Sequence, residues 1–305
     1  MKIAITGATG LIGKKIVEKL TGNENEIIIL SRSIEKAKEI FSGNVKTIKW
    51  NPYSVSEIIS DTGQLENLDS IIHLAGENVM LKRWSDGQKK KIIDSRVKTT
   101  AALFQIISKL KNKPKSVVSA SAVGFYDNKV ENVCDEYSQS GNDFLAEVTS
   151  AWENEVKKFA EENIREVRIR IGIALSKDGG ALVRLIPLYK YSIGGSIGSG
   201  KQWFPWIHID DLANLFVAAA TNEKYIGAYN AVSPGITTMK EFSKTLGNVM
   251  SRPSVFTVPE FALKIVLGEA AEALTKGAKI IPKRTVENGF QFEYTELKSA
   301  LKSLA

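Results

Sequence analysis

The chain has 305 residues, of which 43% are hydrophobic, 8% aromatic and 25% charged, with a net charge of +7. This is the balance of an ordinary globular protein and argues against disorder, collagen-like repeats and coiled coil. A chain this long buries roughly 75% of the surface its unfolded form exposes, enough for one large core or two smaller ones. One cysteine, Cys134, allows no intrachain disulfide or thiolate cluster, and two histidines, His73 and His208, are too few for a multi-histidine site, so no metal is expected. No stretch approaches the ~20 apolar residues of a membrane span. The opening residues run straight into a strand-like segment rather than a signal peptide. The expectations are a cytoplasmic location in a reducing environment and no membrane partner. The lysines are scattered, as in Lys89–Lys91 and Lys109 to Lys115, without interleaved aromatics. They read as solvated helix faces, and no nucleic acid is expected.

In chain order, Lys2–Thr6 is short, apolar and β-branched, bounded by glycine, and reads as a buried parallel strand. Gly13–Leu20 carries apolar residues at helical spacing, Ile27–Leu30 is a second strand and Ser33–Phe41 a second helix. Val45–Trp50 and Ser70–Leu74 make the third and fourth strands. A long amphipathic helix over Asp86–Lys109 leads to a fifth strand at Ser116–Ala120. Phe144–Glu161 is helical, and Val167–Leu175 reads as one continuous sixth strand. Strands alternating with helices at this spacing imply βαβ units and right-handed crossovers. After Ser176 the texture changes: Lys177–Gly180 is a turn and Gly194–Gly200 a glycine-rich loop. Asp211–Thr221 is a helix, Ala228–Val232 a strand, and beyond Ser233 come helices (Met239–Met250, Pro259–Leu267, Glu296–Leu304) and little strand. The reading is an α/β Rossmann protein, a doubly wound parallel sheet formed by residues 1–178 and 203–233. A smaller, mostly helical cap comes from residues 179–202 and 234–305.

Gly7-Ala8-Thr9-Gly10-Leu11-Ile12-Gly13 lies between the first strand and the first helix. Glycines here permit a tight turn, close approach of backbone N–H groups to a pyrophosphate, and packing of helix on strand. The helix N-terminus adds partial positive charge. Dinucleotide binding by Gly7, Thr9, Gly10, Leu11, Ile12 and Gly13 follows. The second strand ends in Ser31-Arg32, where an NAD site usually has a carboxylate for the ribose 2′-hydroxyl. Arg32 instead offers a fork of donors to a 2′-phosphate, so Ser31 and Arg32 predict NADP(H).

Gly7–Gly13, His73-Leu74-Ala75-Gly76, Ser119–Ala122 and Trp206–Asp211 fall in the order seen in extended short-chain dehydrogenases/reductases. Lys82-Arg83-Trp84, Asp94–Thr100, Gly198–Trp203 and Ile281–Arg284 resemble, more narrowly, the epimerase family proteins. These are an atypical branch related to nucleoside-diphosphate-sugar epimerases, ending in a short domain of unknown function. The resemblance covers essentially the whole chain. It implies that Leu74, Ala75 and Gly76 pass under the cofactor, with His73 a structural histidine, and that Ser121 binds the substrate oxygen.

The same resemblance implies a Tyr-x-x-x-Lys pair at the start of the following helix, the tyrosine as acid/base and the lysine lowering its pKa. The matching residues are Phe144 and Val148, which carry neither a proton nor a charge, and the usual asparagine falls on Arg96. Tyr126, near Lys129, and Glu147, one turn into the helix, are the available substitutes for the missing acid or base, each weighed against packing or solvent exposure. Arg83, Trp84, Arg96 and Lys201 come from segments bordering the cleft, where cations and tryptophans suit an anionic or ring-bearing small molecule. Interdomain packing is the competing role for the tryptophans. Two functions follow: an NADP(H)-dependent reductase- or epimerase-like enzyme on a small molecule, or an NADP(H)-binding regulatory protein without turnover, for example cell-division-inhibitor-like. Substrate and oligomeric state stay open.

Overall fold

The computed structural model describes residues 1–21, 24–41, 45–54, 62–80, 82–129, 131 and 133–304. In chain order the strands are β1 (Lys2–Thr6), β2 (Glu26–Ser31), β3 (Val45–Lys49), β4 (Ser70–His73), β5 (Ser116–Ala122), β6 (Val133–Cys134), β7 (Arg165–Ile171), β8 (Ile173–Ser176), β9 (Gly195–Ile197), β10 (Trp206–His208), β11 (Gly227–Ala231), β12 (Phe256–Val258) and β13 (Lys279–Ile280). The helices are α1 (Leu11–Thr21), α2 (Ile34–Ile40), α3 (Asp86–Ile107), α4 (Phe144–Lys157), α5 (Gly180–Lys190), α6 (Ile209–Thr221), α7 (Met239–Val249), α8 (Glu260–Leu267), α9 (Glu272–Thr275), α10 (Lys283–Glu287) and α11 (Leu297–Leu304).

Seven parallel strands form the central sheet in the order β11-β7-β5-β4-β1-β2-β3. The strand order reverses between β1 and β4, and the carboxyl ends of strands at such a reversal are where open α/β sheets bind ligands. One apolar core lies between the sheet and α1 and α6, built on Ile3, Ile5, Ile72, Val118, Ile169 and Phe216. A second core, with Ala4, Ile28, Ile71, Leu103 and Phe159, fills the opposite face under α3. The near-continuous apolar runs of β1, β2 and β4 follow from this burial on both faces.

Three departures from the sequence reading have physical causes. The segment read as one strand over Val167–Leu175 is broken at Gly172. A Cβ there would lie 2.2 Å from the Pro205 carbonyl oxygen, so the chain leaves the large sheet, and β8 pairs instead with β10. Helix α5 is absent from the sequence reading; it carries Pro187 in its interior, a residue with no N–H to donate. The glycine-rich loop contains β9. A Cβ on Gly195 would sit 1.6 Å from the Phe256 carbonyl oxygen, so only glycine lets β9 meet β12.

The smaller unit has its own core of Leu182, Tyr189, Trp206, Phe242, Leu246 and Leu301, drawn from α5, β10, α7 and α11. It is joined to the sheet by specific polar contacts. Asp211 at the start of α6 accepts from the backbone N–H of Glu293 (2.8 Å) and Tyr294 (3.0 Å). His208 stacks on Tyr294 with centroids 3.8 Å apart. Among the described residues, no helix is long and apolar enough to cross a membrane.

Candidate functional site

The first turn of the sheet is shaped by what its glycines lack. Gly7 has φ +68°, and a Cβ on it would come within 2.8 Å of the Leu74 carbonyl carbon. A Cβ on Gly13 would come within 2.5 Å of the Ala8 Cα, so α1 lies directly on the turn. The Gly10 N–H donates to the Gly7 carbonyl at 3.0 Å and closes the loop ahead of α1. Leu11 turns toward the second unit, within van der Waals reach of Gly179 and Gly180. Thr9 and Ile12 are partly exposed on the same turn. This is a backbone cradle at a helix N-terminus, suited to a diphosphate.

At the end of β2, Ser31 donates to the Ser33 carbonyl at 2.8 Å, shaping the turn into α2. The adjoining Arg32 is exposed and makes no hydrogen bond or ion pair among the described residues. Among the described residues no protein group occupies the donor fork for an extra phosphate, and the cradle and Arg32 together fit an adenine dinucleotide phosphate.

At the end of β4, the Leu74 N–H donates to the Thr6 hydroxyl (3.2 Å), which lies 2.7 Å from His73 Nδ1. His73 Nε2 lies 3.1 Å from the Thr100 hydroxyl, which itself donates to the Arg96 carbonyl at 2.7 Å. The only consistent assignment is a neutral ring donating from Nε2 and accepting at Nδ1. Burial pushes the imidazole down to about 4, in agreement with that assignment. His73 thus braces the turn formed by Leu74, Ala75 and Gly76. Arg96 lies against this turn: a Cβ on Gly76 would be 3.3 Å from its Cζ.

At the end of β5, Ser121 is buried and donates to Glu153 Oε1 at 2.6 Å. Glu153 is gripped by Arg170 through Nε (2.8 Å) and Nη2 (2.9 Å), and by Arg168 through Nη1 (3.1 Å). Burial alone would raise the Glu153 carboxyl, but the hydrogen bonds from Arg170 and Ser121 and the two guanidinium charges hold it below the usual range. Sequence reasoning missed this cluster. Its signal was present as Arg168 and Arg170, two charges on one face of a central strand beside apolar Val167, Ile169 and Ile171.

Tyr126 is wholly buried. Its hydroxyl donates to Asn230 Oδ1 at 2.7 Å and accepts from Arg170 at 2.8 Å, and burial raises its phenol above the ordinary value. Its hydroxyl is thus committed to two buried partners, the packing role weighed against that of a substitute acid. Glu147 lies on the exposed face of α4, the solvated alternative weighed for it. Phe144 packs edge-on against Trp84, centroids 5.0 Å apart, whereas Leu145 is the residue that touches Gly124 at the end of β5. In either frame, Phe144/Val148 or Leu145/Thr149, the helix supplies neither a phenol nor an ammonium.

The four expected substrate-side residues sit in different surroundings. Arg83 packs on Gly268, where a Cβ would lie 2.6 Å from its Nε. Trp84 donates from its indole to the Val79 carbonyl at 2.8 Å and sits in an apolar cluster with Phe144, Leu267 and Ala270. Trp84 joins α3 and α4 to the segment around α8, the interdomain packing weighed for it, while Arg83 is exposed beside Gly268. Lys201 is exposed on the loop between β9 and β10. Arg96 alone stands at the carboxyl end of the sheet. Among the described residues, no group of three or more His, Cys, Asp or Glu side chains forms a metal site.

A parallel sheet of this strand order with a glycine cradle at its first turn defines the dinucleotide-binding class of α/β protein. Residues 3–170 match the model of the NAD dependent epimerase/dehydratase family, to which the chain belongs, and residues 258–304 match a domain of unknown function, DUF1731. The chain is 40% identical to the chloroplastic epimerase family protein SDR39U1 homolog of Arabidopsis thaliana, over 100% of this chain and 86% of that one. It is 36% identical to the epimerase family protein YfhF of Bacillus subtilis, over 100% of this chain and 98% of that one. The crystal structure of human epimerase family protein SDR39U1 with NADPH superposes with a TM-score of 0.88 at 31% identity, covering 100% of this chain and 99% of that one.

Proposed function

We propose that this chain is an NADP(H)-binding, atypical short-chain dehydrogenase/reductase whose cleft, at the carboxyl ends of β4 and β5, takes a small molecule. The observation that carries the reading is the glycine cradle of Gly7, Gly10 and Gly13 beside an exposed Arg32 that has no hydrogen-bond or ion-pair partner among the described residues. The NADPH in the similar human structure supports it. Gly7–Gly13 would hold the diphosphate, Ser31 and Arg32 the adenosine end, and Leu74–Gly76 the floor beneath the cofactor. A bound nicotinamide supplies hydride transfer. Ser121, its hydroxyl donating a hydrogen bond to Glu153, keeps its lone pairs to accept from a substrate hydroxyl or N–H. Calorimetry with NADPH and NADH tests the cofactor. Replacing Arg32 with Ala is expected to weaken NADPH by about tenfold to a hundredfold and leave NADH nearly unchanged. Tighter NADH than NADPH binding by the unaltered protein would retire the assignment.

A second reading is favoured by one observation, that neither frame of α4 supplies Tyr and Lys while Tyr126 is buried: an NADP(H)-binding regulator that does not turn over. Incubation with NADPH and sugar nucleotides, carbonyls or quinones, with product analysis for redox-neutral epimerisation, separates the two. Turnover lost in Ser121→Ala supports the enzyme. Tight NADPH binding without any product supports the regulator.

A further inference from the structure

Arg96 on α3 and Arg168 and Arg170 on β7 are treated differently. Arg168 and Arg170 are matched by the carboxylates of Glu153 and Glu166. Arg96, partly buried, has no carboxylate within ion-pair distance among the described residues. Its Nη1 donates to the Ile92 carbonyl at 3.0 Å and lies 3.4 Å from the Ser95 hydroxyl. Its Nε and Nη2 groups have no partner among the described residues. The guanidinium lies over the Trp152 ring, Cζ to centroid 5.2 Å, and against Gly76, which is exposed to solvent. The Trp152 indole N–H is buried without a hydrogen-bond partner among the described residues.

Charges withdrawn from water are ordinarily paired, because desolvation costs more than isolated hydrogen bonds return. Burial lowers the Arg96 guanidinium to about 10, with Glu77 only partly offsetting the effect; it still carries its charge at neutral pH. A planar cation with free donors, held by a tryptophan ring and approached over a glycine, is the arrangement that binds an oxyanion through two oxygens. The cofactor's own phosphates have donors elsewhere, at the β1–α1 turn and at Arg32. Arg96 lies beyond them, past the strand-order reversal.

Resting on the NADP(H) reading above, we propose that Arg96 is the receptor for an anionic group, carboxylate or phosphate, carried by the small-molecule substrate. The site selects acids or phosphate esters over neutral alcohols and carbonyls of the same skeleton. Lysine does not substitute fully, because a point charge lacks the planar fork.

The test uses the full chain, isotope-labelled and saturated with NADPH, titrated separately with inorganic phosphate and with succinate. The Arg96 Nε–H and Trp152 indole N–H signals are followed by NMR, the indole being assigned through Trp152→Phe. A saturable shift of both signals is expected, and the tighter titration identifies which anion the site prefers. Arg96→Met should abolish the indole shift, Arg96→Lys should retain a weaker one, and both should leave NADPH affinity within about threefold of the unaltered protein. The proposal is overturned if neither anion moves either signal, or if the indole shift persists in Arg96→Met. It is also overturned if Arg96→Met weakens NADPH by about tenfold or more, since the arginine would then belong to the cofactor. Repeating the titrations without cofactor keeps the two readings apart: absent NADPH binding with a saturable anion shift overturns the cofactor assignment alone.

Discussion

The Ser121 hydroxyl donates a hydrogen bond to Glu153 across 2.6 Å, and that bond determines what the serine can offer a ligand. Glu153 is itself immobilised by Arg168 and Arg170 in the interior, so the serine cannot turn to donate elsewhere without breaking a charge-assisted bond. Glu153→Ala would leave two guanidinium groups short of their carboxylate and is expected to destabilise the fold by ~3–5 kcal/mol. Ser121→Ala should cost only ~1 kcal/mol. Urea denaturation of both variants checks the ordering. A Glu153→Ala loss no larger than that of Ser121→Ala would mean that water reaches the cluster and takes over from the carboxylate.

Tyr126 separates a packing role from a catalytic one. Tyr126→Phe removes the bonds to Asn230 and Arg170 and should cost ~1–3 kcal/mol, since two buried polar partners lose their mate. Any turnover found in the substrate screen should survive within a few-fold when assayed well below the melting temperature. Selective loss of kcat with unchanged stability would restore the phenol to the chemistry.

The parallel sheet was legible because its strands are buried on both faces and read as apolar runs separated by helical spacing. The glycine turn was legible because Gly7 and Gly13 face constraints that no other residue meets. What lay hidden were effects of residues distant in the chain. Gly172 breaks a strand because Pro205 presses on it, and Gly195 admits a strand because Phe256 crosses it; neither neighbour is visible from local pattern. The site was legible by position and not by partnership. Ser121 was placed at the end of β5, but its dependence on Glu153, 32 residues away, was invisible. Arg83, Trp84 and Arg96 have similar sequence credentials, and only the structure shows two of them facing the second unit.

That second unit is held against α3 and α4 by Trp84, which is 9% exposed and packs with Phe144, Leu267 and Ala270. An ion pair between Lys89 and Glu269 at 2.6 Å lies alongside. Trp84→Ala should therefore destabilise the protein by ~3–5 kcal/mol and render the segment around α8 more open to proteolysis, while NADPH affinity stays within a few-fold. If the variant kept its stability and lost a substrate-dependent activity instead, Trp84 would return to the substrate wall.

His73 makes the fold sensitive to mild acid. The ring has a folded value of about 4, lowered by burial, against roughly 6.5 when unfolded. Between those values the unfolded chain binds the proton more readily than the native one, so stability rises with pH through this window and is lost as pH falls from about 6.5 toward 4. A shift of this size corresponds to about 3 kcal/mol when fully developed. Protonating Nδ1 would also turn the acceptor that Thr6 uses into a donor, so the Thr6 proton would have to turn elsewhere. His208 is pushed the same way by burial, so the comparison must be with His73→Gln rather than with the slope alone. Above about pH 5 most carboxylates remain ionised and contribute little slope. Denaturation midpoints at pH 5.0–7.0 should therefore fall with acidification in the unaltered chain and fall distinctly less in His73→Gln, and parallel profiles for the two proteins would show that His73 reaches solvent and titrates normally.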